Sequence, residues 1–147
     1  MDINPAIILL IIVLFIFPLS RLYLLIRRKR ELACDEIKQV IQLSGEKVLI
    51  TPESGSFRGA TNKLGRIKSD GIIALTSKRL IFKKAFSPRF EIELKEVIEI
   101  TTDAKFLGAW RAGVIHLVLN LKNGDRVGFY FKDLEKWKIE LSKALRK

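Results

Sequence analysis

Basic side chains are concentrated in two neighbouring parts of the sequence, where they could bind phosphate groups. The stretch 53–70 carries four of them, opposed only by Glu53 and Asp70, and a second group at 78–89 has no acid between its members. Arg can bind a phosphate through two parallel hydrogen bonds, and Lys binds it as a point charge. Several such side chains at one loop mouth could hold lipid phosphates. The candidates are Arg58, Lys63, Arg66, Lys68, Lys83 and Lys84.

A second interpretation of these cations remains open. Loops rich in Lys are ordinary protein surface, and a solvated basic face would serve only to avoid repulsion from an anionic membrane leaflet. The sequence does not separate this from true head-group recognition, and it does not identify any particular lipid.

The sequence lacks the groups that catalysis or metal binding would need. His116 is the only histidine, at a polar-facing position of an expected strand, and we interpret it as structural. Cys34 is the only cysteine, so no intramolecular disulfide can form, and we interpret it as an inert thiol. No P-loop, nucleophile elbow or zinc-binding helix is present. We therefore predict that the protein is not an enzyme and uses no cofactor or metal.

The overall charge narrows the class of partner. The 147 residues include 27 Lys and Arg against 16 Asp and Glu, a formal net charge of +11. Such a surplus favours polyanionic neighbours, either lipid head groups or nucleic acid. No nucleic-acid recognition motif is present, and the N-terminal segment favours lipid.

The first 30 residues have the pattern of a membrane anchor. Residues 6–17 are all apolar, and the stretch 7–26 contains 20 residues, which at about 1.5 Å rise per residue match a hydrocarbon core of about 30 Å. Arg21 lies near the end of this stretch, where its side chain can reach the interface. The sequence therefore predicts one transmembrane helix.

The flanking charges predict its orientation. The cluster that follows, together with Arg21, would stay in the cytoplasm by the positive-inside rule and leave the N-terminus outside. A cleaved signal peptide is the alternative, but Asp2 precedes the apolar core without any Lys or Arg, and arginines stand where a small-residue cleavage site is expected. We predict a single-pass protein of the cell membrane with a cytoplasmic C-terminal domain. The cluster is Arg27, Arg28, Lys29 and Arg30.

The rest of the chain divides into a linker and one domain. Residues 1–30 form the predicted anchor with its basic flank, 31–45 an amphipathic linker helix with Ala33, Ile37 and Ile41 on one side, and 46–147 the domain. Gly45 marks the end of the linker helix.

Within the domain the apolar residues mostly alternate, which predicts strands. A first strand at Val48 should end near Pro52, and the Gly- and Ser-rich stretch 53–70 should be a long polar connection. A tight hairpin should turn on Ser77 and Lys78, and a second should turn on Asn123 and Gly124 in a type I′ turn. The other strands are expected near 90–94 and 97–101, and a helix capped by Asp133 should extend to residue 145.

These elements predict a mainly β (α+β) fold. About seven antiparallel strands would form a small barrel or sandwich, with the C-terminal helix over one open end and the transmembrane helix before it.

Several motifs resemble those of GRAM domains and their bacterial pleckstrin-homology-like (PH-like) relatives. They are Gly-Glu-Lys-Val-Leu at 45–49, Ser-Phe-Arg-Gly at 56–59, Leu-Thr-Ser-Lys-Arg-Leu-Ile-Phe at 75–82, Ile-Glu-Leu at 92–94, and the closing Phe-Tyr-Phe at 129–131 with Trp137. The resemblance covers residues 46–145. One departure is Ser77, where the family usually has Asn.

The resemblance implies a seven-stranded PH-like fold. It also implies that acidic phospholipids bind to basic residues on the connection between the first two strands, which here would be the stretch 53–70. Two functions remain in competition. One is a membrane-tethered module that contacts anionic lipid or a membrane-proximal protein. The other is an assembly subunit that pairs with itself or another membrane protein through a sheet edge or the loop around Trp110.

Overall fold

The computed structural model describes residues 5–62, 64–84, 87–110 and 113–146, and of residues 5–13, 15, 109 and 110 only the backbone. The helices are α1 (Pro5–Ser44) and α2 (Leu134–Leu145), and Leu94–Glu96 form one turn of 3₁₀ helix. The strands are β1 (Val48–Ala60), β2 (Ser69–Thr76), β3 (Arg79–Lys84), β4 (Arg89–Glu93), β5 (Val97–Asp103), β6 (Lys105–Phe106), β7 (Ala109–Trp110), β8 (His116–Leu121) and β9 (Arg126–Tyr130).

Seven of the strands form one antiparallel sheet. Their order is β4-β3-β2-β1-β9-β8-β5, and β6 and β7 form a separate small hairpin. The two edge strands, β4 and β5, are joined only by the 3₁₀ turn, so the sheet must curl until its edges approach each other. The predicted seven antiparallel strands and C-terminal helix are confirmed.

The inner face of the curled sheet encloses an aromatic core that α2 closes. Phe57, Phe82 and Phe129 are fully buried there, and Trp137 of α2 stacks on Phe131 with ring centroids 4.2 Å apart. Asp133 caps α2 as predicted, because its carboxylate accepts a hydrogen bond from the Lys136 amide at 3.1 Å.

The first strand is much longer than predicted. Instead of ending near Pro52, β1 continues to Ala60, and only 61–68 connect it to β2. Gly55, one of the residues that indicated a loop, has a different role. A Cβ on Gly55 would lie 2.7 Å from Cγ2 of Ile73 on the neighbouring strand, so the glycine leaves room for the Ile73 side chain.

The β8–β9 hairpin exists, but its predicted turn type is wrong. A type I′ turn needs positive φ at two central residues, and within the described residues of this turn only Gly124 has it, at 80°. The Gly124 amide donates to the carbonyl of Leu121 at 2.9 Å, and the Leu121 amide donates to that of Asp125 at 2.8 Å. The turn is therefore longer than a two-residue hairpin turn, and Gly124 is its one described residue in the left-handed conformation.

The prediction that His116 lies on a polar-facing, solvent-exposed side of its strand is wrong, because only 2% of the residue is exposed. The β6–β7 hairpin covers the outer face of β8 and β9, where the Phe106 ring packs directly on Gly128. The Nδ1 atom of His116 lies 3.1 Å from the carbonyl oxygen of Asp103. A covering hairpin of two-residue strands is too short to be seen in sequence periodicity.

The helix α1 runs without a break through Pro18, so the apolar N-terminal segment and the 31–45 segment belong to one helix. Its C-terminal part packs on the outer face of β2 and β3 through Ala33, Ile37 and Ile41, which bury a second, smaller core against Ile72, Ala74 and Ile81. Gly45, with φ of 64°, ends the helix and turns the chain into β1.

This second core should contribute strongly to stability. We expect Ile37→Ala to lower the free energy of unfolding by about 2 to 5 kcal/mol, because Ile37 is fully buried between helix and sheet. Urea unfolding of the full chain in mild detergent, followed by circular dichroism, measures the change. The matched control is Leu43→Ala on the same helix, where the side chain is 88% exposed and the expected change is below about 0.5 kcal/mol. Equal effects of the two substitutions would contradict the packing.

Candidate ligand-binding site

The predicted basic residues gather at one end of the domain. Here β1 ends, β2 begins and β3 ends, so that Arg58, the 61–68 connection and the last two residues of β3 are neighbours. Arg66 and Lys68 are exposed on the connection, and neither has an ion-pair partner among the described residues. Lys63 lies outside the described residues.

Lys83 and Lys84 point to opposite faces of β3, although they are adjacent in sequence. Lys83 is on the outer face, where its Nζ lies 3.0 Å from the carboxylate of Glu36 on α1. Lys84 is on the inner face, and its Nζ lies 5.0 Å from the ring centroid of Phe57 at the rim of the aromatic core. The sequence prediction treated both as one cluster, and the alternation of side chains along a strand separates them.

Arg58 is partly buried, and its guanidinium lies 5.4 Å from the ring centroid of Tyr130. Its Nε atom is buried without a hydrogen-bond partner in the described structure, and so is the Oγ atom of Ser69 at the start of β2. Buried polar atoms are nearly always hydrogen-bonded, so this end of the domain retains unused hydrogen-bonding capacity.

Two other cations of the 78–89 group are neutralised by acids that lie outside this stretch. Arg79 bonds to both Glu46 and Glu91, and Arg89 bonds to Glu91 at 3.1 Å and to Glu36 at 3.3 Å. The absence of acids within the 78–89 stretch therefore does not leave these two arginines free to bind a ligand. These side chains and Lys83 form an ion-pair chain across the outer face of β3 and β4.

The carboxylates of this chain are held in their charged form. The hydrogen bond from Lys83 lowers the pKa of Glu36 from its ordinary value of 4.5; partial burial opposes this, and Arg89 reinforces it. Burial alone would raise the pKa of Glu91, but the hydrogen bonds from Arg89 and Arg79 outweigh burial and lower it.

The connection between β1 and β2 presents an apolar residue that the sequence analysis did not single out. Ile67 is 78% exposed between Arg66 and Lys68. The loop is shaped by a bond from the Ala60 amide to the carbonyl of Gly65 at 2.8 Å. The signal available in the sequence is an isoleucine flanked by two cations. It was missed because the whole stretch was interpreted as a polar connection.

A groove of about 400 Å³ separates this end of the sheet from α1. Its lining combines apolar side chains from both walls with three cations and one acid. The lining residues are Ile26, Arg30, Ala33, Ile67, Ser69, Asp70, Gly71, Ile72, Lys83, Lys84 and Ser87.

Upstream of Ala33 the described side chains of α1 are no longer buried against the domain. All of those from Ile16 to Leu32 are exposed, and apolar ones such as Phe17, Leu22 and Leu24 expose more than half of their surface. No helix is long and apolar enough to cross a membrane when only the described residues are considered. Much of the predicted span, residues 7–13 and 15, lies outside the described side chains.

The predicted flanking cations lie along this exposed part of α1. Arg21 stacks at 4.9 Å from the ring centroid of Phe17, and Arg27 pairs with Glu31 at 3.0 Å. Arg28 and Lys29 are exposed, whereas Arg30 lines the groove.

Among the described side chains, the remaining candidates form no site. Cys34 is partly buried against the second core, and the side chain of Trp110 lies outside the described residues. Across the described residues no group of His, Cys, Asp and Glu is arranged to hold a metal ion.

Comparisons with known proteins give a likeness of fold. No family model matches the sequence, and no curated protein is significantly similar to it. The C-terminal domain of an unknown protein from Leishmania infantum aligns with 75% of this chain and 94% of its own length, at a TM-score of 0.51 and 19% identity.

Two further solved structures show weaker likeness. The Vps36 N-terminal PH domain aligns with 70% of this chain and 81% of its own length, at a TM-score of 0.46 and 22% identity. A structure of Vav1 with an allosteric inhibitor aligns with 65% of this chain and 26% of its own length, at 0.43 and 19%.

The ion-pair chain should make the attachment of α1 sensitive to acid. Because the pKa of Glu36 is lower in the folded protein, its stabilisation is present above 4.5 and is lost as the pH falls through the lower folded value. We expect Glu36→Gln to lower the urea midpoint near neutral pH, and the difference from the unsubstituted protein to shrink as the pH falls below 4.5. A difference that stays constant with pH would contradict this role.

Proposed function

We propose that the protein is a non-catalytic, membrane-tethered binding module of the GRAM or PH-like kind, which contacts anionic phospholipid head groups on the cytoplasmic face of the cell membrane. Its anchor is the N-terminal half of α1, and its contact surface is the end of the domain formed by Arg66, Ile67, Lys68 and Lys84.

One observation carries the proposal. The same groove is lined by Ile26, the last residue of the predicted span, and by Ile67 of the β1–β2 connection. If residues 7–26 lie in the hydrocarbon core, Ile67 and its two basic neighbours are at the depth of the lipid head groups. An isoleucine between cations suits that boundary, since its side chain can enter the acyl region while the charges contact phosphates.

The exposure of α1 supports the anchor. Large apolar side chains that stay uncovered over several helical turns are costly in water and mark contact with lipid or protein. The basic residues after the apolar stretch supply the expected inner flank.

The charges supply a modest binding energy, which suits a tethered domain. Each Lys or Arg near an anionic surface contributes about 1 kcal/mol, so a few of them bind weakly by themselves. A tether that keeps the domain at the surface raises its effective concentration, and weak contacts then suffice.

Vesicle flotation tests the contact surface. A fragment of residues 31–147 keeps both cores but lacks the predicted span, and circular dichroism first verifies its folding. We expect it to bind anionic vesicles at low salt, and Arg66→Gln with Lys68→Gln to weaken binding about 30-fold, because two contacts of about 1 kcal/mol are lost.

The matched control is Lys47→Gln with Lys78→Gln. Both lysines are exposed and lie at the opposite end of the domain, where the Ser77 amide bonds to the carbonyl of Lys47. The control removes the same charge and should leave binding nearly unchanged. Equal losses would mean that only net charge matters, and binding that does not depend on anionic lipid would rule out this surface.

Thiol labelling tests the orientation of the anchor. In a Cys34→Ser background, a membrane-impermeant maleimide should label Asn4→Cys in intact cells, because the N-terminus is proposed to lie outside. It should label Lys78→Cys only after permeabilisation. The reverse pattern would overturn the orientation, and loss of the protein from carbonate-washed membranes would overturn the anchor.

A further inference from the structure

We propose that Arg21 marks a docking face for a second membrane protein, whose transmembrane helix places an Asp or Glu carboxylate beside the Arg21 guanidinium inside the bilayer. This inference rests on the proposed anchor, in which residues 7–26 lie in the hydrocarbon core. The contact is made between helices within the membrane and is separate from the lipid contact of the domain.

The Arg21 side chain points toward the middle of the proposed span. It could reach the interface only by extending toward Arg27, at the C-terminal end of the apolar stretch. In the structure its guanidinium carbon instead lies 4.9 Å from the ring centroid of Phe17, one turn nearer the N-terminus, which is the direction in which helical side chains lean. Phe17 is about 14 Å along the axis from Ile26 and about 15 Å from Ile7. The charge therefore lies near the centre of a core about 30 Å thick.

No acid of this chain can neutralise Arg21 at that depth. The sequence has no Asp or Glu between Asp2 and Glu31, and Glu31 lies about 15 Å away along the axis and pairs with Arg27 at 3.0 Å. An arginine at the bilayer centre is costly, and cations inside membranes are almost always paired or turned to a polar interior. A parallel second copy would bring another Arg21 to the same depth and add repulsion. A carboxylate for Arg21 therefore has to come from a different protein.

Pro18 adds a second polar group on the same face. Proline has no amide hydrogen, so the carbonyl of Leu14 loses the bond that residue 18 would otherwise donate. Leu14, Pro18 and Arg21 follow the helical spacing i, i+4 and i+7, within about 60° around the axis. Neighbouring helices satisfy such freed backbone groups in membranes. The side chains of Leu14, Phe17 and Leu25 on this face are exposed, so the described part of the domain leaves it open to a partner helix.

Association with a synthetic transmembrane peptide tests whether Arg21 selects a carboxylate. The full chain carries a donor dye at Leu43→Cys, an exposed position, in a Cys34→Ser background. It is reconstituted in phosphatidylcholine vesicles with an acceptor-labelled, leucine-rich peptide that has one Asp at its midpoint, so that both peptide orientations present the Asp at the same depth. Energy transfer should show association about tenfold tighter than with an otherwise identical peptide that has Leu there, since polar contacts between membrane helices are of about this strength.

Two substitutions distinguish the charge at this depth from charge in general. Arg21→Leu should remove the preference for the Asp peptide, and Arg21→Lys should keep most of it. The matched control is Arg28→Leu, which removes the same charge two turns later on the same side of the helix, beyond the proposed span, and should leave the preference unchanged. Both arginines are exposed, so neither substitution disturbs a packed core.

A photoreactive side chain locates the contact in cells. Placed at Leu25, on the Arg21 side of the helix, it should cross-link to a membrane protein that has Asp or Glu within its span, and Arg21→Leu should abolish the product. Placed at Tyr23, on the opposite side, it should cross-link only to lipid. Changing the carboxylate of the captured protein to Lys should abolish the product from Leu25, and Arg21→Glu should then restore it.

The inference is overturned if the two peptides associate equally, if Arg21→Leu changes neither assay, or if Leu25 cross-links only to lipid or to another copy of this chain. These results leave the proposed function standing as long as the chain stays in carbonate-washed membranes. Loss of the chain from those membranes would overturn the anchor, and this inference with it.

Discussion

The packing of α1 on the outer face of β2 and β3 is the constraint on which the proposed arrangement depends. Ile37 and Ile41 bury their side chains against the sheet, while Glu36 binds Lys83 and Arg89 at the rim. Apolar burial supplies most of the stabilisation, and the partly exposed ion pairs mainly fix the rotation of the helix. Because the helix is continuous, this contact also determines which end of the domain lies beside the apolar segment.

The motif residues of the family resemblance have structural roles here. The hydroxyl of Thr76 accepts hydrogen bonds from the amides of Lys78 and Arg79 at 3.2 and 3.0 Å, which closes the β2–β3 hairpin. It also bonds to Glu46 at 2.7 Å, and Glu46 binds Arg79. The hairpin is thereby joined to the turn after α1. These structural roles explain why the resemblance predicted the fold.

The sequence predicted what depends on local pattern and failed where tertiary contacts decide. The hairpin at Ser77 and Lys78, the capped helix at Asp133 and the seven-stranded architecture follow from periodicity and turn chemistry. The extent of β1 does not, because Gly55 leaves room for the side chain of Ile73 on the next strand, a contact that local sequence does not reveal.

The candidate site was predicted only in part, for the same reason. Arg66 and Lys68 were identified from composition, but Lys83 is paired with an acid 47 positions earlier in the chain, and the partners of Arg79 and Arg89 come from three different elements. The groove was not predictable at all. It exists only because a helix that begins in the apolar segment folds back along the sheet, so its two walls are far apart in sequence.

Because α1 is one unbroken helix, the number of residues between its apolar segment and the groove determines which side of that segment faces the sheet. Each residue added to or removed from an α-helix rotates everything upstream by about 100°. A change of one residue between Ile26 and Ala33 would therefore turn the apolar segment around its axis and carry Ile26 away from the sheet. Length changes of about seven residues, close to two full turns, would keep the facing sides aligned but shift the domain by about 10 Å along the helix. Chains with this architecture should accept variation in helix length only in such steps.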